Sequence, residues 1–349
     1  MSPPILIWGA GAIGGTVGAY LQRAGEPVLF VDRVVEHVAA IVGQGLRITG
    51  PIEEFQVAAP ARTPGELEGR FDTIFLCVKA QDTPAAATAL APFLADDGCV
   101  VSLQNGLNEL VIAERVGEGR TVGAFINFGA DYLSPGVIHY AGHGAVVVGE
   151  LDGRMTPRVH ELHRLLQLFD DRAVLTANVW GYLWSKLAYG ALLFATALTD
   201  ASIADCLASP QHRSLFIALG REIVAVAVAG GIRLESFDGF DPAVFRPEAS
   251  VAAAAESLDA LVAHNRRSAK THSGIWRDLA VRKRKTEVDA QLGPIAEIGA
   301  RHGRSTVLTQ RLIALIHDIE DGRRPQGWST LDALAGIAPK PKAASGSAA

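Results

Sequence analysis

The stretch Ile5-Leu6-Ile7-Trp8, which decides the fold, runs directly into Gly9-Ala10-Gly11-Ala12-Ile13-Gly14. A strand followed by a Gly-x-Gly-x-x-Gly turn and a helix is the phosphate-binding fingerprint of a dinucleotide fold. In that fold Gly9 permits the tight turn, Gly11 lets the backbone approach the pyrophosphate, and Gly14 lets the helix pack closely against the strand. The pyrophosphate would lie at the helix N-terminus, where free N–H groups and the helix dipole favour an anion.

The residues that follow keep the order that such a fold requires. A helix is predicted over 13–23 with Gly25 as its stop signal, and the strand Val28-Leu29-Phe30-Val31 ends at Asp32-Arg33. Asp32 comes about 20 residues after the glycines, where a carboxylate that binds the adenosine ribose is expected. The alternative interpretation of the glycine stretch is a purely structural turn between a strand and a helix.

Further polar residues come directly after predicted strands. The strand over 71–78 ends at Lys79, and the strand over 99–103 ends at Gln104-Asn105-Gly106. Alternation of apolar runs with helical patterns predicts a mostly parallel sheet, and ligands of such sheets bind beyond the carboxyl ends of the strands. One crevice is therefore expected to collect Gly9, Asp32, Lys79 and Asn105.

The composition of the chain changes near residue 175, after which helical periodicity dominates. Before that point, apolar runs at 137–140 and 145–148 predict a terminal hairpin around Gly142-His143-Gly144. After it, helices are predicted over about 180–195, 211–229, 250–262, 274–303 and 306–321. The fold class is therefore α/β, with a Rossmann-type doubly wound sheet followed by an all-helical C-terminal domain. The predicted domains are a dinucleotide-binding domain over 1–174, a helical substrate and dimerisation domain over 175–335, and a disordered tail over 336–349.

Length and composition limit the classes of function. A chain of 349 residues with 49 % hydrophobic residues has room for two domains with sizeable cores. A net charge of −5 gives no reason to expect nucleic acid or an anionic membrane surface as a partner. We find no leader, no span-length apolar run and no zinc-type spacing of His, Cys and carboxylates, so a cytoplasmic protein without a metal is expected.

Several short motifs together resemble those of one family. They are the glycine turn, Val78-Lys79-Ala80, Gln104-Asn105-Gly106, Pro135-Gly136-Val137-Ile138, Trp184-Ser185-Lys186-Leu187 and Lys285-Thr286-Glu287-Val288-Asp289. In order and spacing they are similar to the ketopantoate reductases (2-dehydropantoate 2-reductases), from the start of the chain to about residue 325. The most specific part of the resemblance is the Trp-x-Lys-Leu and Thr-Glu-x-Asp pair.

The resemblance implies an activity and a set of site residues. It implies NAD(P)H-dependent reduction of a small 2-oxo acid to a 2-hydroxy acid, as in pantothenate biosynthesis, and leaves a homodimer open. Lys186 matches the catalytic lysine, while Asn105, Ser273 and Glu287 match or lie near substrate-binding residues. The spacing at Ser273 differs by one residue, so Gly274 is the alternative there. The implied cofactor-binding residues are Gly9, Ala10, Gly11, Ala12, Ile13, Gly14, Asp32, Arg33, Lys79 and Asn105.

Each of the two central residues also has a plain structural interpretation. Lys186, in an apolar helix, could be a surface lysine whose stem covers apolar neighbours. Glu287 follows the basic run 282–285, which is most simply a solvated helix face, and could form an ordinary helical salt bridge. A chain without these two residues would suit a non-catalytic nucleotide-binding regulator. The presence of both favours an enzyme.

Two departures from the family concern the substrate. Ketopantoate reductases usually carry asparagines four and eight residues after the catalytic lysine, and this chain has Gly190 and Phe194 there. Lost polar contacts reduce discrimination for a small hydroxylated acid. Because Phe194 offers apolar surface, a different hydroxy or oxo acid, bulkier or less polar than ketopantoate, is the alternative substrate.

The residues after the second strand make opposite contributions to cofactor choice. Asp32 can bind the ribose hydroxyls and repels a 2′-phosphate, which favours NAD(H). Arg33 can pair with that phosphate and resembles the arginine of the NADPH-using family, which favours NADP(H). We expect Asp32 to turn to solvent or to pair with Arg33, so that NADP(H) is favoured and NAD(H) remains the alternative.

Overall fold

The computed structural model describes residues 3–267 and 271–339. The chain divides into two compact units, Met1–Leu183 and Trp184–Ala349. The division falls inside one helix, α6 (Val179–Thr196). We refer to the first as the nucleotide unit and to the second as the helical unit.

The nucleotide unit alternates strands and helices. Its strands are β1 (Ile5–Trp8), β2 (Val28–Val31), β3 (Leu46–Thr49), β4 (Phe55–Val57), β5 (Ala61–Arg62), β6 (Phe71–Leu76), β7 (Leu94–Ser102), β8 (Thr121–Ile126), β9 (Gly129–Ser134), β10 (Val137–Gly142), β11 (Val146–Glu150) and β12 (Val174–Leu175). Its helices before α6 are α1 (Ala12–Arg23), α2 (Val35–Gln44), α3 (Thr83–Leu90), α4 (Asn108–Val116) and α5 (Pro157–Gln167).

The main sheet confirms the predicted doubly wound fold. Its strand order is β12-β11-β8-β7-β6-β1-β2-β5, and its pairs are parallel except for β8 with β11. The central strand β1 is buried along its whole length, with Ile7 opposite Phe30 on β2 and Phe75 on β6. Strands that are buried on both faces read as continuous apolar runs, which is the pattern of the first strand in the sequence.

The hairpin predicted around Gly142-His143-Gly144 is wrong, although both of its strands exist. β10 lies in a second sheet of order β4-β3-β10-β9, whereas β11 pairs with β8 in the main sheet. The turn that forms instead joins β9 to β10 through Pro135 and Gly136, whose φ of 75° is the left-handed conformation that suits glycine. β11 is buried throughout against β8, so burial in the larger sheet outweighs local pairing.

The described part of the helical unit is built mainly from helices. After α6 these are α7 (Ile203–Ala208), α8 (Arg213–Ala229), α9 (Val251–Arg267), α10 (Gly274–Ala280), α11 (Val288–Arg301), α12 (Val307–Glu320) and α13 (Trp328–Ala335). The all-helical prediction is confirmed in this sense. α7 and α13 are short and were not predicted.

The single helix predicted over 274–303 is wrong, because two helices, α10 and α11, occupy it. Arg282 and Arg284 turn back to donate to the buried carboxylate of Asp278 at 2.9 and 3.0 Å, and Lys283 has a φ of 49°. The Thr286 hydroxyl, just before α11, then accepts from the backbone N–H of Val288 at 3.3 Å. The basic run 282–285 is therefore an exposed connection between helices rather than a helix face.

Two further predictions concern the C-terminal tail and membrane-spanning helices. α13 ends at Ala335, and most of the predicted disordered tail, from residue 340 onward, lies outside the described residues. Among the residues that are described, no helix combines the length and the apolar character needed to cross a membrane.

Candidate active site

The glycine turn has the geometry that phosphate binding requires. Gly9 has a φ of 101°, and a Cβ atom on Gly14 would lie 2.2 Å from the carbonyl oxygen of Gly9, so neither position admits a side chain. A Cβ atom on Gly11 would meet nothing within 4 Å, which leaves open space in front of the turn. α1 begins directly behind this space, and its first N–H groups lack partners within the helix. The partly exposed residues of the turn are Gly9, Gly11, Ala12 and Ile13.

Asp32 is bound to the glycine turn itself. Its Oδ2 accepts from the backbone N–H of Ala10 at 2.9 Å, and its Oδ1 accepts from the N–H of Val34 at 3.0 Å. The expectation that Asp32 turns to solvent or pairs with Arg33 is wrong, since these backbone donors satisfy a carboxylate without either move. Arg33 instead forms an ion pair with Asp82 at 3.3 Å, with 76 % of its side chain exposed.

His37 supports the same turn and was not predicted from the sequence. The buried His37 ring contacts the carbonyl oxygen of Ala10 through Nε2 at 2.8 Å and accepts from the N–H of Gly136 at Nδ1 at 2.9 Å. A backbone N–H can only donate and a carbonyl can only accept, so Nδ1 is the acceptor of this ring and Nε2 is its donor. The sequence signal was weak, because His37 is simply one buried position of α2.

Lys79 and Asn105 follow the adjacent parallel strands β6 and β7. Leu76 at the end of β6 lies opposite Ser102 at the end of β7, and both Lys79 and Asn105 are exposed beyond these ends. The strand register therefore places Lys79 and Asn105 at the same edge of the sheet, as predicted. Gly106 takes a φ of 106° and turns the chain toward α4.

A buried hydrogen-bond network joins the loops after β6 and β7. The amide of Gln104 donates to the carbonyl oxygen of Val78 at 2.8 Å and to the Thr83 hydroxyl at 2.7 Å. Thr83 donates to Asn108 Oδ1 at 2.9 Å, and the Asn108 amide donates to the backbone oxygen of Asn105 at 2.7 Å. This network fixes the backbone at Asn105 relative to the loop that carries Lys79.

Glu109, next to this network, is fully buried in the first turn of α4. Burial raises the pKa of Glu109 to about 8, because a carboxylate loses its hydration there. Neither carboxyl oxygen has a hydrogen-bond partner within the described residues, and the nearby Ser102 hydroxyl offsets the effect of burial on this pKa only in part. Glu109 is therefore protonated near neutral pH.

In the helical unit, Lys186 lies on a narrow, partly exposed stripe of α6. From Leu183 to Thr199 every residue is buried except those of the stripe, which are Lys186, Tyr189, Gly190 and Leu193. Their spacing of three and four places them on one side of the helix. Lys186 thus projects from a mostly buried helix, which disfavours the interpretation as an ordinary surface lysine.

The two other predicted site residues of this unit lie at helix starts. Glu287 is partly exposed and immediately precedes α11. Ser273 is the N-cap of α10, and its oxygen accepts from the N–H of Trp276 at 3.1 Å. The hydroxyl proton of Ser273 can still be donated, so capping and substrate binding are compatible.

The two departures from the family pattern differ in their surroundings. Phe194 is fully buried in the core of the helical unit, so the expectation that it offers apolar surface to a substrate is wrong. Gly190 is partly exposed, and a Cβ atom there would meet only Gln291 Oε1, at 4.0 Å. In residues 3–267 and 271–339, no group of three or more His, Cys, Asp or Glu side chains could hold a metal ion.

The chain is similar to known reductases along most of its length. The family model for ketopantoate reductase PanE/ApbA matches residues 5–153, and the model for the C-terminal part of that family matches residues 178–320. A 2-dehydropantoate 2-reductase of Archaeoglobus fulgidus is 30 % identical over 91 % of this chain and 98 % of its own. One from Halobacterium salinarum is 27 % identical over 89 % of this chain and 97 % of its own.

Solved structures give the same result for the fold. A PanE/ApbA family ketopantoate reductase from Ralstonia eutropha matches with a TM-score of 0.77 and 27 % identity, covering 92 % of this chain and 99 % of its own. A D-mandelate dehydrogenase, solved with NADH and anilino(oxo)acetate, matches with a TM-score of 0.78 at 24 % identity over the same shares. At that identity the second likeness concerns the fold alone.

Proposed function

We propose, because this chain belongs to the ketopantoate reductase family, that it catalyses the NAD(P)H-dependent reduction of a 2-oxo acid to the corresponding 2-hydroxy acid. The observation that carries the proposal is the position of Lys186 on the exposed stripe of an otherwise buried helix. A lysine on an otherwise buried helix forfeits the apolar contacts that a hydrophobic residue would make there. A catalytic role explains why the helix carries a lysine at this position.

The residues of the nucleotide unit fit a dinucleotide. The open space at Gly11 and the first turn of α1 suit a pyrophosphate, and Asp32 lies beside them, hydrogen-bonded to Ala10. Asp32 keeps further lone pairs that can accept from ribose hydroxyls. When bound, the reduced nicotinamide would supply the hydride that is added to C2 of the substrate.

The roles of the remaining residues follow from the charge that develops on the substrate. Hydride addition to a ketone places negative charge on the carbonyl oxygen, and the Lys186 ammonium would stabilise that charge and donate the proton that completes the hydroxyl. Glu287 would accept a hydrogen bond from a substrate hydroxyl, and Ser273 would donate one. Asn105 and Lys79 would contact the cofactor.

NADP(H) is the favoured cofactor in this proposal. Asp32 is compensated by the N–H groups of Ala10 and Val34, which weakens its repulsion of a 2′-phosphate. The Arg33 guanidinium is mostly exposed, and its exposed ion pair with Asp82 is of a kind that contributes little stability. It is therefore available to a phosphate, while NAD(H) remains usable through Asp32.

We expect Arg33→Ala to lower kcat/KM for NADPH about tenfold or more and to change that for NADH much less. A charge-assisted hydrogen bond of about 1.5–3 kcal/mol is lost only with the phosphate-bearing cofactor. Asp82→Asn is the matched variant, since it frees Arg33 and should raise the preference for NADPH. Wild-type protein that prefers NADH tenfold, with NADPH use untouched in Arg33→Ala, would contradict the assignment.

The activity itself is tested by following absorbance of the reduced cofactor with a panel of 2-oxo acids that includes ketopantoate. The proposal predicts saturable oxidation of NADPH with at least one member and no oxidation without acid. Tight binding of NADPH without turnover of any member would instead support a non-catalytic nucleotide-binding protein.

A further inference from the structure

A basic cavity lies in the helical unit, between the connection from α10 to α11 and the C-terminal end of α12. Its volume is about 380 Å³, and the charged residues that line it are Lys283, Arg284, Glu320 and Arg324. None of the residues assigned to the cofactor or to the substrate lines it. We propose that the basic cavity is a separate binding site for a small organic phosphate monoester, a function beyond the proposed reduction of a 2-oxo acid.

Two of the lining cations, Lys283 and Arg324, are available to a ligand. In the part of the chain that the structure describes, the Lys283 ammonium and the Arg324 guanidinium form neither an ion pair nor a hydrogen bond. Arg324 is nevertheless only partly exposed, and withdrawing a cation from water without a partner is costly. An anion in the basic cavity would supply the missing partner for both side chains.

The charges around the basic cavity are balanced by a dianion. Arg284 and Arg282 share the buried carboxylate of Asp278, at 3.0 and 2.9 Å. Glu320 Oε1 accepts from the backbone N–H and from the hydroxyl of Thr286, each at 2.7 Å. With the two unpaired cations, the lining residues and these partners carry four positive charges and two carboxylates. A phosphate monoester, which bears nearly two negative charges at neutral pH, balances the remainder, whereas a single carboxylate does not.

The rest of the lining indicates that the phosphate is joined to an apolar group. Leu279, Ile319 and Pro325 contribute apolar surface to the same cavity. Its volume lies within the range of about 300–1,000 Å³ that is usual for small-molecule sites. Guanidinium groups pair with phosphate oxygens through two parallel hydrogen bonds, which favours phosphate over other anions. The basic cavity therefore fits a phosphate on a small apolar body better than it fits inorganic phosphate.

The backbone at Lys283 determines which variant can test its charge. Its φ of 49° lies in the left-handed region, which most residues with a side chain rarely adopt. The neighbours on both sides, Arg282 and Arg284, are fixed by Asp278 and hold this conformation. Asparagine tolerates a left-handed backbone, so Lys283→Asn removes the charge and keeps the shape of the connection.

The test measures binding of phenyl phosphate, inorganic phosphate and benzoate. Each probe is titrated calorimetrically at pH 8 into wild-type protein with saturating NADP⁺, so that the nucleotide site is already occupied. Phenyl phosphate should bind at one site per chain. Its Kd should be about tenfold or more below that of benzoate, which carries one charge fewer, and below that of inorganic phosphate, which lacks the apolar ring.

Variants locate the bound phosphate. Lys283→Asn and Arg324→Gln should each raise the Kd of phenyl phosphate about tenfold or more, because each removes a charge-assisted hydrogen bond. Lys285→Gln is the matched control, since Lys285 is an exposed cation of the same connection that does not line the cavity, and it should change the Kd less than about threefold. Lys186→Ala should leave it unchanged. Phenyl phosphate that binds no better than benzoate or inorganic phosphate, an unchanged Kd in Lys283→Asn or Arg324→Gln, or an equal loss in Lys285→Gln or Lys186→Ala would overturn the site.

Discussion

We expect Lys186→Ala to lower kcat by about two orders of magnitude or more while leaving the dissociation constant of NADPH nearly unchanged. Positioned proton transfer and electrostatic stabilisation of the developing oxyanion each contribute about that much. Steady-state kinetics on the preferred 2-oxo acid, with cofactor binding followed by nicotinamide fluorescence, measures both quantities.

Two controls separate chemistry from folding in this experiment. Lys186→Arg keeps a positive charge on the stripe of α6 and should retain more activity than Lys186→Ala. Added primary amines should partly restore turnover in Lys186→Ala, because a small ammonium can occupy the vacated position. Near-normal turnover in Lys186→Ala would remove Lys186 from the mechanism.

We expect Glu109→Gln to stabilise the protein increasingly as the pH rises from about 5 to 8. The pKa of Glu109 is raised from an ordinary 4.5 to about 8 in the folded state. The carboxyl group therefore takes nothing from the free energy of unfolding of the wild type below pH 4.5. Between these two pH values that free energy falls by about 1.4 kcal/mol per pH unit, because the unfolded chain releases the proton first. A neutral amide of similar shape is free of that loss.

Glu114→Gln is the matched control for this prediction, since Glu114 is an exposed residue of the same helix. Urea unfolding at several pH values should show the free energies of Glu109→Gln and wild type diverging upward with pH, while those of Glu114→Gln and wild type run parallel. Parallel curves for all three proteins would mean that Glu109 is ionised in the folded state.

The sequence predicted well those features that are encoded locally. The Gly9–Gly14 turn is recognisable because its glycines are required by contacts with only a few neighbouring atoms. The structure shows that a Cβ atom would be too close to such atoms at Gly9 and Gly14. The placement of Lys79 and Asn105 followed from the rule that parallel strands end at the same edge of the sheet.

Features decided by distant partners could not be predicted in this way. Two strands near Gly142 looked like a hairpin, but they lie in different sheets, where β10 pairs with its neighbour β9 and with the distant β3, and β11 pairs with β8. Asp32 was expected to respond to its neighbour Arg33, whereas its partners include a backbone N–H 22 residues away. Phe194 looked like a pocket residue by spacing alone, yet its burial is set by the packing of the whole helical unit.

Transfer of deuterium from NADPH that carries deuterium at both hydrogen positions of C4 to the acid product tests the central claim most directly. Mass spectrometry of the product from a 2-oxo acid incubated with wild-type protein measures it. We expect one deuterium at C2 of the 2-hydroxy acid, formed at the rate of cofactor oxidation and slowed together with that oxidation in Lys186→Ala. Cofactor oxidation that leaves C2 without deuterium, or a 2-oxo acid panel that yields no 2-hydroxy acid, would contradict it.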